Sequence, residues 1–96
     1  MSAYIIVDID VHDSAQYDQY RNRVNPTLAV YGGKFLVRGG VAETLEDDWQ
    51  PKRIVVLEFP STEKAKAWWS GSEYAPAREI RQRAAHTRMI VVEGAQ

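Results

Sequence analysis

A short apolar segment enclosed by two glycine pairs limits what this chain can fold into. Residues 32–40 read Gly-Gly-Lys-Phe-Leu-Val-Arg-Gly-Gly, so residues suited to a strand lie between two points where the backbone can turn. Glycine tolerates positive φ and allows close approach of backbone or ligand, which favours a tight entry at Gly32 and a bulge or bend near Gly39. The segment predicts one short strand with Arg38 at its exit, beside the open backbone of Gly39 and Gly40.

The segments on either side alternate between the periods of strands and helices. Strand-like alternation predicts further strands at Ala3–Val11, Arg53–Phe59 and Thr87–Glu93. A first helix is predicted after Asp13, because apolar residues recur there at spacings of three and four: Tyr17, Tyr20, Val24, Leu28 and Tyr31.

Two further helices are predicted between the third and fourth strands. Pro60 and Ser61 favour the start of one, in which Ala65, Trp68 and Trp69 form the buried side. Because adjacent residues point in different directions, one of the two tryptophans is expected in the core and the other on a pocket wall or subunit contact. Ser72 is predicted to cap the last helix.

In that last helix Ala77, Ile80 and Ala84 face inward, and Arg78, Arg81 and Arg83 project elsewhere. Pro26, within the first helix, predicts either a kink or a second short helix that begins there.

The order of these elements predicts the fold. Two split β-α-β halves give an α+β, ferredoxin-like βαββαβ sandwich, with a four-stranded antiparallel sheet and helices on one face. With 96 residues the chain is long enough for one domain, predicted over residues 1–96.

Composition excludes several functional classes. The net charge of −1 provides no field to attract nucleic acid or an anionic membrane, and the absence of cysteine excludes thiolate chemistry and disulfides. No apolar run approaches the roughly 18 residues of a membrane span, and no basic leader precedes the first strand. We therefore expect a cytoplasmic protein with no nucleic-acid or membrane partner.

The face of the sheet without helices needs a partner. Alternation places an apolar set there that would form a large exposed patch: Tyr4, Ile6, Leu36, Ile54, Val56, Ile90 and Val92. The same alternation puts Asp8, Arg38, Glu58 and Arg88 on this face, where buried charges need partners. We expect a homodimer in which two helix-free sheet faces pack around a chamber that contains Arg38.

Four segments resemble one protein family over most of the chain. They are Gly-Gly-Lys-Phe-Leu-Val-Arg-Gly-Gly at 32–40, Arg-Ile-Val-Val-Leu-Glu-Phe-Pro-Ser at 53–61, Ala-Trp-Trp-Ser-Gly-Ser-Glu-Tyr at 67–74 and Ile-Val-Val-Glu-Gly at 90–94. They are similar to the family named domain of unknown function 1330. The resemblance implies a dimeric α/β barrel, a group that includes small monooxygenases, muconolactone isomerases, haem-binding proteins and stress proteins. Trp69 stands where the family more often has tyrosine, which leaves the size of the pocket open.

Several residues are candidates for a site. Arg38 is either an anchor for a ligand carboxylate or phosphate, helped by the backbone of Gly39 and Gly40, or half of an ion pair with Asp8 or Glu58. Tyr20 and Trp69 are candidate walls of a ligand pocket, although Tyr20 also fits a core position.

Tyr74, Arg78 and Arg81 share a helix face, which is either an anion gate or a solvated, ion-paired surface. His86 is a candidate general base or a surface histidine. His12 and His86 lack neighbours at metal-ligand spacing, and no dinucleotide or Walker pattern occurs, so we predict no metal and no cofactor.

Two functions fit these residues. In the first, a homodimer binds a small acidic or aromatic compound and acts on it without a cofactor, by proton transfer or monooxygenase-like chemistry. Arg38 would then hold the anion, and Asp8 or His86 would move a proton. In the second, the dimer is a non-catalytic structural or stress-related protein whose buried polar residues only set the subunit register.

Overall fold

The computed structural model describes residues 1–95 and contains four strands and three helices. In chain order these are β1 (Ala3–Val11), α1 (Ser14–Val30), β2 (Lys34–Arg38), β3 (Ile54–Phe59), α2 (Thr62–Ser70), α3 (Ala75–Ala84) and β4 (Ala85–Glu93).

The strands form one antiparallel sheet in the order β2-β3-β1-β4. In the centre of the sheet Ile5 of β1 lies between Leu57 of β3 and Val91 of β4. The helices cover one face, where the buried core residues of β1 and β3 alternate with residues of the other face. The predicted ferredoxin-like α+β fold is therefore confirmed.

Helix α1 continues from Ser14 to Val30 with Pro26 inside it, so the predicted alternative of a second short helix beginning at Pro26 is wrong. Asp13 caps its start, accepting a hydrogen bond from the Gln16 backbone N–H at 3.2 Å. Pro26 and Asn22 lie on the solvent side of the helix, so the Asn22 carbonyl that loses a proline N–H partner faces water. The predicted stripe faces the sheet, with Tyr17, Tyr20, Val24 and Leu28 buried.

The two tryptophans of α2 separate as expected. Trp68 is fully buried and its indole N–H donates to the Thr27 hydroxyl of α1 at 3.0 Å, whereas Trp69 is 41% exposed. In α3 the start differs from the prediction, because Tyr74 and not Ser72 occupies the cap position.

Arg81 is the larger departure in α3. The sequence predicted that it projects away from the core, yet only 2% of its surface is exposed. The prediction was wrong because an arginine can enter the core when its N–H groups find acceptors there.

A bulge in β2 determines where Arg38 points. Phe35 pairs with Leu57 and Val37 with Val56, so Leu36 is an extra residue between them. Because a one-residue insertion reverses the faces of all later side chains, Arg38 pairs with Val55 and lies on the helix-covered face. The prediction that Arg38 shares the helix-free face with Asp8 is wrong for this reason.

Candidate functional site

A narrow cleft between the sheet and the helices brings together several polar side chains of the covered face. We call it the inter-layer cleft. Its volume is about 20 Å³, enough for about one water molecule. At Arg21 and Arg38 it meets a wider outer depression of about 560 Å³, which Asp18, Asn22 and Asn25 also line.

Arginines dominate the lining of the inter-layer cleft. Arg21, Arg38, Arg53 and Arg81 contribute to it, whereas no aspartate or glutamate among the described residues does. Arg21 has a counter-ion in Asp18, at 3.8 Å on the protein surface. The remaining three arginines therefore form a basic cluster inside a protein whose net charge is −1.

Two of these arginines pack against aromatic rings. The Arg38 guanidinium lies 4.3 Å from the centroid of the Phe35 ring, and the Arg53 guanidinium lies 5.8 Å from that of Tyr17. Such cation–π contacts orient a guanidinium without neutralising its charge. Arg38 and Arg53 thus keep N–H groups available at the cleft.

Gly39 makes room for Arg53. Its φ is +77°, and a Cβ at this position would collide with the Arg53 guanidinium. The Gly39 N–H already donates to the Ile54 carbonyl at 2.9 Å, so it is not free for a ligand as the sequence had suggested. Gly40 is exposed and has no neighbour close to where its Cβ would be.

Arg53 was missed as a site residue because it was interpreted only as the start of a strand. Its Nε is buried and has no hydrogen-bond partner among the described residues. A buried donor without a protein partner marks Arg53 as a residue that could bind a polar group at the cleft. No local sequence pattern marks Arg53, because its approach to Gly39 depends on how β2 and β3 pair.

Three predicted residues meet at the inner end of the cleft. Arg81 Nε donates to the Tyr74 hydroxyl at 3.2 Å, and its Nη1 donates to the Thr87 hydroxyl at 2.6 Å. The Tyr74 hydroxyl lies 2.9 Å from the Tyr20 hydroxyl. The spacing of Tyr74 and Arg81 on one face therefore does bring them together, and Tyr20 joins them from α1.

Burial changes the acidity of Tyr20. Its pKa is raised well above the ordinary value of 10.0, mainly because burial disfavours the phenolate, and the adjacent Tyr74 adds to the rise while Arg81 opposes it. Tyr20 is therefore a neutral hydroxyl at physiological pH, able to donate one hydrogen bond.

The predicted proton-transfer residues lie elsewhere. Asp8 and His86 are on the helix-free face, where they line a separate depression of about 260 Å³ with Arg88 and Trp49. Asp8 accepts hydrogen bonds from the backbone N–H groups of Lys52, at 3.0 Å, and of Arg53, at 3.4 Å. The sheet separates both side chains from the guanidinium groups that line the cleft.

Glu58 also has local partners. It pairs with Lys34 at 3.2 Å and accepts a hydrogen bond from the Tyr4 hydroxyl at 3.4 Å. These local contacts, and the position of Arg38 on the opposite face, contradict the alternative ion pair of Arg38 with Asp8 or Glu58.

Trp69 lines a third surface feature. It contributes to an apolar groove of about 450 Å³ between α2 and β4, together with Met89 and Ile90. Arg78 lies 4.9 Å from the centroid of its ring and donates to its backbone carbonyl at 2.5 Å. Trp69 and Arg78 therefore do not line the inter-layer cleft, although both were predicted near a ligand.

Residues 1–95 contain neither a metal-binding cluster nor a membrane-spanning helix. No group of three or more His, Cys, Asp or Glu side chains there is arranged to hold a metal ion. No helix in the same range is long and apolar enough to cross a membrane.

Comparison with known families identifies a relationship over nearly the whole chain. The family model described as domain of unknown function (DUF1330) matches residues 2–95. The chain belongs to this family. No curated protein sequence matches the DUF1330 chain.

Solved structures share the fold of this DUF1330 protein. A Rhodopseudomonas palustris protein of unknown function has a TM-score of 0.76 at 17% identity, covering 99% of this chain and 83% of that one. SnoaB, a cofactor-independent oxygenase from Streptomyces nogalater, has a TM-score of 0.66 at 12% identity, with coverage of 99% and 94%. A dimeric ferredoxin-like protein of unknown function from Jannaschia sp. has a TM-score of 0.66 at 10% identity, with coverage of 98% and 100%. Identities this low show the fold alone.

The raised pKa of Tyr20 predicts a loss of stability in alkali. Its contribution to the free energy of unfolding is fully present below the ordinary tyrosine pKa of about 10 and is lost as the pH rises through the higher folded-state value. NMR titration of ¹³Cζ-labelled tyrosine measures the pKa, and urea unfolding at neutral and alkaline pH measures the loss. In Tyr20→Phe the fall of stability above pH 10 should be shallower. A Tyr20 resonance that titrates at or below the ordinary value contradicts the prediction.

Proposed function

We propose that this protein binds a small organic anion in the inter-layer cleft. The observation that supports this most strongly is Arg81, which is 2% exposed and whose described hydrogen-bond partners, Tyr74 and Thr87, are both neutral. Buried guanidinium groups normally have a carboxylate partner, because desolvation of an unpaired cation is costly. An anion bound in the cleft that Arg81, Arg53 and Arg38 line would supply the missing negative charge.

The shape of the site favours a ligand with a small charged end and a larger body. The inter-layer cleft has room for about one small polar group, whereas the outer depression beside Arg21 and Arg38 has about 560 Å³. Arg38 is exposed, so its side chain can move to admit a ligand. The aromatic rings of Phe35 and Tyr17 beside the arginines favour a planar, conjugated body.

The enzymatic form of this proposal is a cofactor-independent reaction of the bound anion. SnoaB, which shares the fold, is a cofactor-independent oxygenase. Fixed donors around an oxyanion stabilise negative charge that develops during proton transfer or reaction with oxygen. Within the proposal Arg38 and Arg53 hold the anion, and Tyr20, as a neutral hydroxyl, donates a hydrogen bond to it. Asp8 and His86, to which the sequence had given proton transfer, line a separate depression.

The protein is further proposed to form a homodimer through its helix-free sheet face. Ile90 is 60% exposed there, and Val37 and Val92 are also exposed. A contiguous apolar patch of this kind marks an interaction surface. The dimeric ferredoxin-like protein from Jannaschia sp. supports a second copy of this chain as the partner.

The non-catalytic alternative has less support. It required a buried polar set on the dimer face that fixes the subunit register. Arg38 lies on the other face, Glu58 pairs with Lys34, and Asp8 binds backbone N–H groups. Of the four charged residues assigned to this role, three are therefore engaged within one protomer or absent from the face.

The anion site predicts charge-selective binding. Benzoate should bind more tightly than benzamide, its neutral counterpart of similar shape. Arg53→Gln should lower the affinity for benzoate roughly tenfold or more, because it removes a charge-assisted hydrogen bond. Isothermal titration calorimetry measures both affinities. Arg83→Gln is the matched control, since Arg83 is an exposed α3 residue outside the cleft.

Equal affinity for benzoate and benzamide would overturn the anion site. The same conclusion follows if Arg83→Gln weakens benzoate as much as Arg53→Gln does, because only the net charge of the protein would then matter.

If the helix-free sheet face forms the dimer interface, a charge placed on that face should dissociate the dimer. The unaltered protein should have twice the protomer mass in light scattering at micromolar concentration, and Ile90→Asp should halve that mass by burying an unpaired carboxylate. Val41→Asp places the same charge on an almost fully exposed loop residue and should leave the dimer intact. A monomeric unaltered protein, or an intact Ile90→Asp dimer, would contradict the interface.

A further inference from the structure

We infer that the Tyr20 hydroxyl donates a hydrogen bond to an oxyanion oxygen of the ligand in the inter-layer cleft. Arg81 acts through Tyr74 as a positioning residue. The inference rests on the proposed anion site and specifies which atom meets the charged oxygen. It follows from the direction in which the three buried groups donate their hydrogen bonds.

The first step is the contact between Arg81 and Tyr74. Arg81 has only donor groups, so the Tyr74 oxygen must be the acceptor of the 3.2 Å hydrogen bond from Arg81 Nε. The second guanidinium contact, to the Thr87 hydroxyl on β4, fixes the plane of the guanidinium. Arg81 therefore presents one N–H to Tyr74 in a set orientation.

The Tyr74 hydroxyl proton also needs an acceptor. This side chain is fully buried, so its hydroxyl proton cannot bond to bulk water. The acceptor that the described structure provides is the Tyr20 oxygen, at 2.9 Å. The two hydroxyl protons share this single contact, so one of them needs an acceptor elsewhere. Tyr20 lines the cleft and can reach an acceptor there, whereas Tyr74 does not line it, so Tyr74 donates to Tyr20.

The Tyr20 hydroxyl proton is left without an acceptor among the described residues. Because the Tyr20 oxygen accepts the hydrogen bond from Tyr74, the Tyr20 proton must find another acceptor. Bulk water is largely excluded, since only 8% of the residue's surface is exposed. Arginine side chains cannot accept a hydrogen bond, and no bond to the nearby Tyr17 hydroxyl occurs within residues 1–95. The Tyr20 proton therefore faces the cleft without a protein acceptor.

The charges around the cleft determine what accepts this proton. A neutral oxygen would satisfy Tyr20 and leave Arg53 and Arg81 without a counter-ion, whereas a phenolate, enolate or carboxylate oxygen satisfies both needs. Chains of hydrogen bonds polarise one another, so donation from Arg81 makes Tyr74, and in turn Tyr20, a stronger donor. An oxyanion at Tyr20 thus gains from the Arg81 charge without touching it.

The test uses 4-nitrophenol and nitrobenzene as a matched pair of probes. The two differ by one oxygen, and the ionised form of 4-nitrophenol absorbs in the visible, so its spectrum reports whether the bound probe carries the proton. Tyr20→Phe should weaken the ionised probe roughly 10-fold to 100-fold, as expected for a hydrogen bond to a charged group, and leave nitrobenzene unchanged.

Two further variants separate positioning from general damage. Tyr74→Phe should partly reduce the affinity for the ionised probe and shift the absorption of the bound form, because Tyr20 is then no longer hydrogen-bonded through Tyr74 to Arg81. Tyr31→Phe is the control, because its hydroxyl bonds to Glu73 at 2.7 Å on the surface. It should change neither probe.

The outcomes distinguish this inference from the proposed function. If the unaltered protein binds the ionised probe and Arg53→Gln weakens it while Tyr20→Phe does not, the anion site stands and the role of Tyr20 is overturned. The same applies if Tyr20→Phe weakens both probes equally. If the unaltered protein does not bind the ionised probe at millimolar concentration, the proposed function and the inference both fail.

Discussion

The burial of Arg81 without a carboxylate partner is the constraint on which the site depends. A guanidinium enters a core of aromatic and aliphatic side chains only if it finds acceptors there, and here the neutral oxygens of Tyr74 and Thr87 accept one hydrogen bond each from Arg81. These two hydrogen bonds leave the positive charge of Arg81 without a neutralising partner among the described residues. The proposed anion site rests on this difference between a hydrogen-bonded donor and a neutralised charge.

The rest of the structure places further cations around the same point. The extra residue Leu36 rotates the end of β2, so that Arg38 faces the helices, and Gly39 then leaves space for the Arg53 guanidinium. Both arginines rest on aromatic rings, which hold them in place without supplying negative charge. The acidic residues that balance the total charge lie mainly elsewhere, including the β2–β3 loop with Glu43, Glu46, Asp47 and Asp48.

The fold was predictable from the sequence because each element has a local pattern. Alternation along β1 and β3 and the stripe of α1 each identify a buried face without knowledge of the other elements. The site was predictable only in part. Arg38, Tyr20, Tyr74 and Arg81 were recognised, yet their arrangement depends on a bulge that reverses one strand end and on the entry of an arginine into the core. Both are decided by tertiary contacts, and neither alters the local periodicity from which the faces were assigned.

Anomalous diffraction from crystals soaked in bromide tests the central claim most directly. Bromide is a monovalent anion small enough for a cleft that holds about one water molecule, and its position is identified by its own scattering. The account predicts a bromide peak within hydrogen-bonding distance of the Tyr20 hydroxyl and the Arg53 guanidinium. Bromide found only on the outer surface, with ordered water in the cleft, would contradict it.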